Sequence, residues 1–315
     1  MAILATPTTR RSETSNATAL RPAGAAAVIG CRPCLPLVDP IPDARRSIDP
    51  ADLALAVPAQ PQATGAHLVN TSITMCGRYT LTSHEQIAED LQASLDVTAA
   101  ADPWWKPRFN VAPTQPAPVV TLHGGARTIE LMRWGLVPHW AEPGGKKPPL
   151  MINARVESLT AKQVFRDALA RKRCLVPADG FFEWVRAGGA KEAPQPFYFH
   201  PRSRHLIAFA GLWARSRDAH GDELHSFTIV TTRANDLVRT IHDRMPIVLA
   251  PEDYAAWLDP EIDADAARAM LGHPAGDDWV KEAVSTWVNK ADHDDPQCIA
   301  PAAAEPASNQ RRLFD

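Results

Sequence analysis

Every aromatic side chain of this 315-residue chain lies at Tyr79 or beyond: nine Trp, nine Phe and three Tyr, with none in residues 1–74. A core needs large apolar side chains, so this distribution says where one can be built. Residues 1–74 instead carry nine of the 29 prolines and are rich in Ala, Thr and Arg. They offer too little apolar surface to offset the entropy of ordering them. The run Ala25 to Ile29, between Gly24 and Gly30, is too short for a membrane span and a poor signal-peptide core. Residues 1–74 are therefore expected to be a disordered extension, either a mis-assigned start or a removed segment. An Arg- and Ser-containing transit peptide is the less favoured alternative. Cys31 and Cys34 have the spacing of half a zinc site, but with no second pair nearby they carry no metal expectation.

From Met75 about 240 residues remain, enough for one large domain, here bounded as 75–300. Cys76, Cys174 and Cys298 cannot form a disulfide framework, so a reducing cytoplasm is expected. The formal charge is −3, and the first 74 residues carry six Arg against five acids, which leaves −4 on the rest. That excludes broad electrostatic adhesion to nucleic acid; any such contact must rest on a local cationic cleft and stacking side chains.

Periodicity predicts mixed elements. Ser83 with Gln86 resembles a capping box, and Ile87, Leu91 and Leu95 recur at helical spacing, so a helix is expected over 84–95. Residues 103–118 read as a proline-rich loop. Residues 119–122 and 128–134 read as strands around the hairpin signal His123-Gly124-Gly125-Ala126. A Gly/Lys/Pro loop is expected over 142–149, and a helix capped by Thr160 and Gln163 to about Arg171. Strands are expected at 174–176, 197–199, 206–212 and 227–231, and short helices at 235–241 and after Pro251. Strands do not alternate with crossover helices. The expected class is α+β, one domain on a curved, mostly antiparallel, barrel-like sheet with peripheral helices.

The step Met75-Cys76 reads as an internal start site. Removal of the methionine would leave Cys76 with a free α-amine beside its thiol. That pair can condense with an aldehyde, first to an imine and then to a five-membered thiazolidine. An internal cysteine cannot, because its nitrogen is locked in a peptide bond.

Three polar clusters follow: Asn153 and Arg155 in MINARVE, Asp179 and Glu183 in DGFFEW, and His242 and Arg244 in IHDRMP. Each has a plain structural reading as well. Asn153 can cap a turn, Glu183 can pair with a surface Arg, and His242 can end a helix. Taken singly, those readings are slightly favoured.

Together with MCGRYTL, RFNVAPTQ, RWGLVPHW, RCLVPADGFFEW and VSTWVN, in this order, these blocks resemble the SOS-response-associated peptidase family, understood as abasic-site processing proteins. The resemblance spans roughly residues 75–300, and several blocks at consistent spacing make it specific. It implies covalent capture of an abasic site in single-stranded DNA by Cys76, with no cofactor or metal, acting as a monomer. By the same resemblance Glu183 moves protons on the amine and carbinolamine, His242 protonates the sugar ring oxygen, and Asn153 orients the modified terminus. Arg78, Arg155 and Arg244 are candidates for phosphates. Trp134 and Trp140 are candidates to stack on bases. For Trp134 a plain core role is equally expected, whereas Trp140 lies beside a Pro/Gly loop and is the better DNA contact. Trp104-Trp105 reads as loop packing first, and Cys174 as a small buried hydrophobe.

The last residues, 301–315, read as a flexible tail. Its Gln310, Leu313 and Phe314 resemble the short peptides that dock on replication sliding clamps, with an ordinary disordered terminus equally expected. Two rival functions keep the same residues. In a thiol or N-terminal-nucleophile peptidase, including an autoproteolytic one, Cys76 attacks an amide with His242 as base. In a non-covalent single-strand binding module the lesion is merely shielded, a reading that the acidity of the chain disfavours.

Overall fold

The computed structural model describes residues 77–95, 100–141, 149–186, 193–203, 205–272 and 278–302. The extension 1–74, Cys76, most of the 142–149 loop and the tail with Gln310, Leu313 and Phe314 lie outside them.

Fourteen strands organise the described residues. One sheet contains β1 (Tyr79–Leu81), β3 (Arg108–Val111), β8 (Gly180–Val185), β9 (Gln195–Pro201) and β14 (Trp279–Ala283), ordered β14-β9-β8-β1-β3. The other contains β2 (Ser94–Leu95), β4 (Pro116–His123), β5 (Ala126–Trp134), β6 (Asn153–Arg155) and β7 (Arg173–Ala178). It is completed by β10 (Ile207–Arg217), β11 (Glu223–Arg233), β12 (Arg244–Pro246) and β13 (Val248–Leu249). Within it β11, β10, β7, β4 and β5 pair in turn, and β5 pairs back onto β11, which closes a five-strand barrel. Most pairings are antiparallel; β2–β5, β5–β11 and β6–β11 are parallel. Closure removes the exposed edges that an open sheet would leave. The α+β class with a barrel-like core is therefore the observed one.

Local chemistry explains the elements that were legible. The β4–β5 hairpin turns at Gly124 and Gly125, with φ of +58° and +85°. Two successive positive φ values define the tight turn that glycine favours. Strand β7 is buried throughout, as a barrel wall lined on both sides must be. At Gly211 of β10 a Cβ would lie 2.7 Å from Cys174 Sγ and Val176 Cγ2, so only glycine allows the approach of β10 to β7.

Two expectations are corrected. The helix over 84–95 is reduced to a 3₁₀ turn, His84–Gln86, and α1 (Ile87–Asp90). Ser83 makes no side-chain cap, Gln92 enters the left-handed region at φ +50°, and Ser94–Leu95 pairs with β5 instead. Ile87 and Leu91 are buried as their spacing suggested, but strand pairing claimed the last turn. The loop over 103–118 contains β3 and the start of β4. Asp294 organises β3 from far along the chain: Oδ1 accepts from the amides of Phe109 and Asn110 at 2.7 and 2.9 Å, and Oδ2 accepts from Arg108 Nε. The helix before β7 is α2 (Gln163–Arg171), without a side-chain cap. The 235–241 helix is the short α3 (Asp236–Arg239), whose Asn235 Oδ1 accepts from Val238 N at 2.9 Å.

Candidate active site

The register of β1 brings the segment that follows Cys76 towards the strand of Glu183. Tyr79 pairs with Phe181 and Thr80 with Gly180, and the amide of Phe182 donates to Arg78 O at 3.0 Å. Continued by one step, this antiparallel register sets Gly77 across from Glu183, whose exposure is only 1%. Gly77 is the residue that follows Cys76 in the sequence.

The start of β1 is tied down on both sides. Arg78 Nη1 donates to Asn110 Oδ1 and to Val288 O, both at 2.9 Å, and its guanidinium lies 5.9 Å from the Trp184 ring centroid. Burial pulls the Arg78 pKa below the usual arginine value. The hydroxyls of Thr80 and Tyr198 share a 2.8 Å hydrogen bond, and the Asp179 carboxylate accepts from Thr82 N and, at 2.8 Å, from Thr82 Oγ1. Asp179 thus fixes the exit of β1.

The other two clusters flank the end of β11. Strand β6 runs parallel to it with Asn153 beside Ile229 and Arg155 beside Thr231; β12 runs antiparallel with Arg244 beside Arg233. Arg244 grips both sides of this arrangement. Its Nη1 and Nη2 donate to Glu157 Oε1 and Oε2 at 2.7 and 2.8 Å, and Nη2 also donates to Thr231 O at 2.9 Å. That fork pulls the Glu157 carboxyl down to about 2. Arg155 is exposed at the same rim.

His242 sits in the turn between α3 and β12. Its Nδ1 accepts from the amide of Arg244 at 3.1 Å, which places the proton of the neutral ring on Nε2. The same Nδ1 lies 3.1 Å from Asp243 Oδ1, a partner for the imidazolium. Burial outweighs Asp243 and pulls the His242 pKa below the ordinary imidazole value. Once protonated, the ring is a stronger acid than a free imidazolium.

Trp134 is the core tryptophan of the two roles left open for it. It has no exposed surface, meets Tyr79 edge-on at 5.2 Å and stacks on Phe227 at 6.4 Å. A ring enclosed in this way cannot stack on a base. Its indole N–H donates to Ile152 O at 2.9 Å, so it links β1 to the residue before Asn153. Trp140 is 57% exposed. Arg78 and Arg244 also spend guanidinium donors within the protein, on Asn110, Val288, Glu157 and Thr231. Arg155 is exposed. Trp104 lies against the Arg108 guanidinium and Trp105 against His84. Cys174 and Cys298 are buried, and burial pushes both thiols up, away from thiolate.

Three residues of this frame were not singled out by sequence. Asn110 is buried and its amide donates to Lys290 O and His293 O at 2.9 and 2.7 Å. Glu157 anchors Arg244, and Tyr198 holds Thr80. The available signal was Arg108 and Asn110 two apart in RFNV, polar side chains sharing one face of a strand whose other residues are apolar.

Comparison with known proteins follows the same segments. Residues 75–291 match the model of the SOS response associated peptidase (SRAP) family. The abasic site processing protein YoqW of Bacillus subtilis is 38% identical over 229 residues, covering 71% of this chain and 99% of that protein. The abasic site processing protein YedK of Escherichia coli is 33% identical over 62% of this chain and 85% of its own length. Among solved structures, a protein from Bacteroides thetaiotaomicron superposes with TM-score 0.63 at 25% identity, over 72% of this chain and all of that one. A phage-related protein of Bordetella bronchiseptica gives TM-score 0.53 at 32% identity, over 66% and 94% of the two chains.

Proposed function

The chain belongs to the SOS response associated peptidase family, and from that premise we propose that it captures abasic sites in single-stranded DNA covalently through Cys76. What carries the reading is the register of β1 on β8, which sets the buried Glu183 across from Gly77, one residue after Cys76. The family match begins at residue 75, and abasic site processing is what the names of its relatives YoqW and YedK state. Among the described residues, Cys174 and Cys298 are buried with their thiol pKa values raised, which makes both poor nucleophiles.

The chemistry requires proton handling and placement. His242 donates a proton to the sugar ring oxygen while the C1′ hydroxyl gives its proton to water, and the deoxyribose opens to its aldehyde. The neutral Cys76 amine adds to that carbonyl, and Glu183 takes the proton the nitrogen loses. Glu183 passes it to the alkoxide, giving the carbinolamine, and then carries the second nitrogen proton to the hydroxyl, which leaves as water and gives the imine. The Cys76 sulfur then adds to the imine carbon, its proton passes to nitrogen, and the thiazolidine closes. Asn153 orients the terminus by hydrogen bonding. Arg155 and Trp140 meet the flanking strand, while Arg78, Arg244 and Trp134 hold the segments in place.

The test is to incubate the full chain, produced from its own gene, with an oligonucleotide carrying one abasic site, and to measure intact mass. The expected product is a denaturant-stable adduct on a polypeptide starting at Cys76, lost in Cys76→Ala. Adduct formation by a chain whose Cys76 nitrogen is still acylated would overturn the proposal. Peptide release from a protein substrate with no adduct would favour the thiol peptidase, and unchanged protection of the lesion by Cys76→Ala would favour the non-covalent module.

A further inference from the structure

Glu183 lies on β8 of the smaller sheet, and His242 lies just ahead of β12 of the larger one. Their separation therefore depends on how the two sheets pack, and not on the register of a single strand pair. Lys281, on β14 of the smaller sheet, reaches across. Strand register sets it on the face of Glu183. Glu183 pairs with Phe197, and Phe197 pairs with Ala283. Directly opposed residues share a face of a sheet, as do residues two apart on one strand. Lys281, two before Ala283 and paired with Phe199, is on that same face. Trp279, two residues further back, agrees: its ring packs 5.7 Å from that of Phe181, two before Glu183.

The half-buried Lys281 side chain passes over Phe197, with its ammonium 5.5 Å from that ring centroid, and donates to Thr240 Oγ1 at 3.0 Å. Thr240 is built into the turn that carries His242. Its hydroxyl donates to Leu237 O at 2.8 Å, and the amides of Ile241 and His242 both donate to Val238 O at 2.9 Å. The helix ahead of them, α3, has only four residues. A single turn of helix has little stability of its own and takes its geometry from what it touches. Lys281 supplies one such contact, from the strand set that carries Glu183.

We infer that Lys281 is a positioning residue: by binding Thr240 it holds the His242 turn in place over the face that carries Glu183. The assignment deepens the proposed function and rests on it for the reaction that the two groups share. Two readouts keep the tether separable from capture. The first is the ring signal of His242 in the full chain labelled with ¹³C-histidine, assigned by its loss in His242→Gln. Lys281→Met keeps an apolar stem on Phe197 and removes the donor. It should shift or broaden the His242 signal while the urea unfolding midpoint stays close to that of the unsubstituted chain, as a surface contact allows. Thr240→Val should do the same, and Lys281→Arg should restore the original signal.

The second readout is single-turnover adduct formation with an oligonucleotide carrying one abasic site. Lys281→Met should slow the rate at saturating DNA about tenfold, within the roughly hundredfold that a misplacement of about 1 Å can cost. The DNA concentration giving half the maximal rate should not change. Lys281→Met/Thr240→Val should be no slower than either single variant, because both break the same contact. An unshifted His242 signal in Lys281→Met and Thr240→Val overturns the tether. So does a raised half-saturating concentration in Lys281→Met with Thr240→Val silent, the pattern of a lysine that meets phosphate instead. A chain that shows the histidine shifts but forms no adduct keeps the tether and rejects capture. An adduct-forming chain whose rate and histidine signal ignore both substitutions does the reverse.

Discussion

Trp134 and Trp140 stand six residues apart in one motif, yet one is fully buried and the other 57% exposed. The same contrast separates Arg244, 6% exposed and gripping Glu157, from Arg155, exposed on the neighbouring strand. The molecule divides into a frame and a rim built from the same residue types. In the frame, Trp and Arg spend their donors on backbone and carboxylate acceptors and hold distant segments together. On the rim, the same side chains keep a ring face or a charge turned to solvent. Residue type alone therefore did not assign a role; the accessibility of its polar atoms did.

The largest test of this division is the tryptophan pair. Trp134→Ala removes a fully enclosed ring and should cost about 3–5 kcal/mol in urea unfolding. Trp140→Ala should change stability by less than about 0.5 kcal/mol but weaken single-strand binding by about 1–3 kcal/mol. Equal unfolding midpoints for the two variants would break the comparison.

The arginine pair should differ less. Arg244→Gln leaves the Glu157 carboxylate and Thr231 O without their charged donor, at about 1–3 kcal/mol, whereas Arg155→Gln, on an exposed side chain, should cost less. The frame contact also has a pH signature. The Glu157 carboxyl is held at about 2 in the folded protein against an ordinary 4.5. Its folded value is the lower one, so the contribution is fully present above the ordinary value and is lost as pH falls from there through about 2. Because Glu157 is 51% exposed, the effect is modest. Glu157→Gln should flatten the acid limb of stability against pH, as measured by chemical denaturation, and Arg155→Gln should leave that limb unchanged.

The smallest expected effect concerns His242, which lies between frame and rim. Its lowered pKa means that less imidazolium is present at a given pH than for an ordinary imidazole. The component of capture that depends on its proton should therefore fall as pH rises through that lowered value. Asp243→Asn removes one of the groups that raise this pKa, so the limb should move further to acid. A rate profile indifferent to both His242→Gln and Asp243→Asn would remove His242 from proton transfer.

Much of the fold was legible where the cause is local. The Gly124-Gly125 turn follows from backbone sterics that no distant residue needs to supply. The apolar run Cys174 to Val176 within β7 and the spacing of Ile87 and Leu91 announced buried faces correctly. Legibility ended where a distant partner decided. Residues 94–95 gave up a helical turn because β5 offered strand pairing, and Arg108 to Asn110 became a strand because Asp294 met three of their donors. Neither partner is adjacent in sequence, so neither leaves a periodic trace.

By itself, the sequence determined where a core could exist, through the placement of every aromatic beyond residue 78. It also determined which ordered blocks of polar residues bear the family resemblance, since residue identity and spacing are properties of the chain. Tertiary structure alone decided which tryptophan is walled in, that Arg244 is held by Glu157, and that β1 pairs with β8, the strand of Glu183. Those outcomes depend on strand register and barrel closure. Both arise from hydrogen bonds and packing between segments that are distant in the chain.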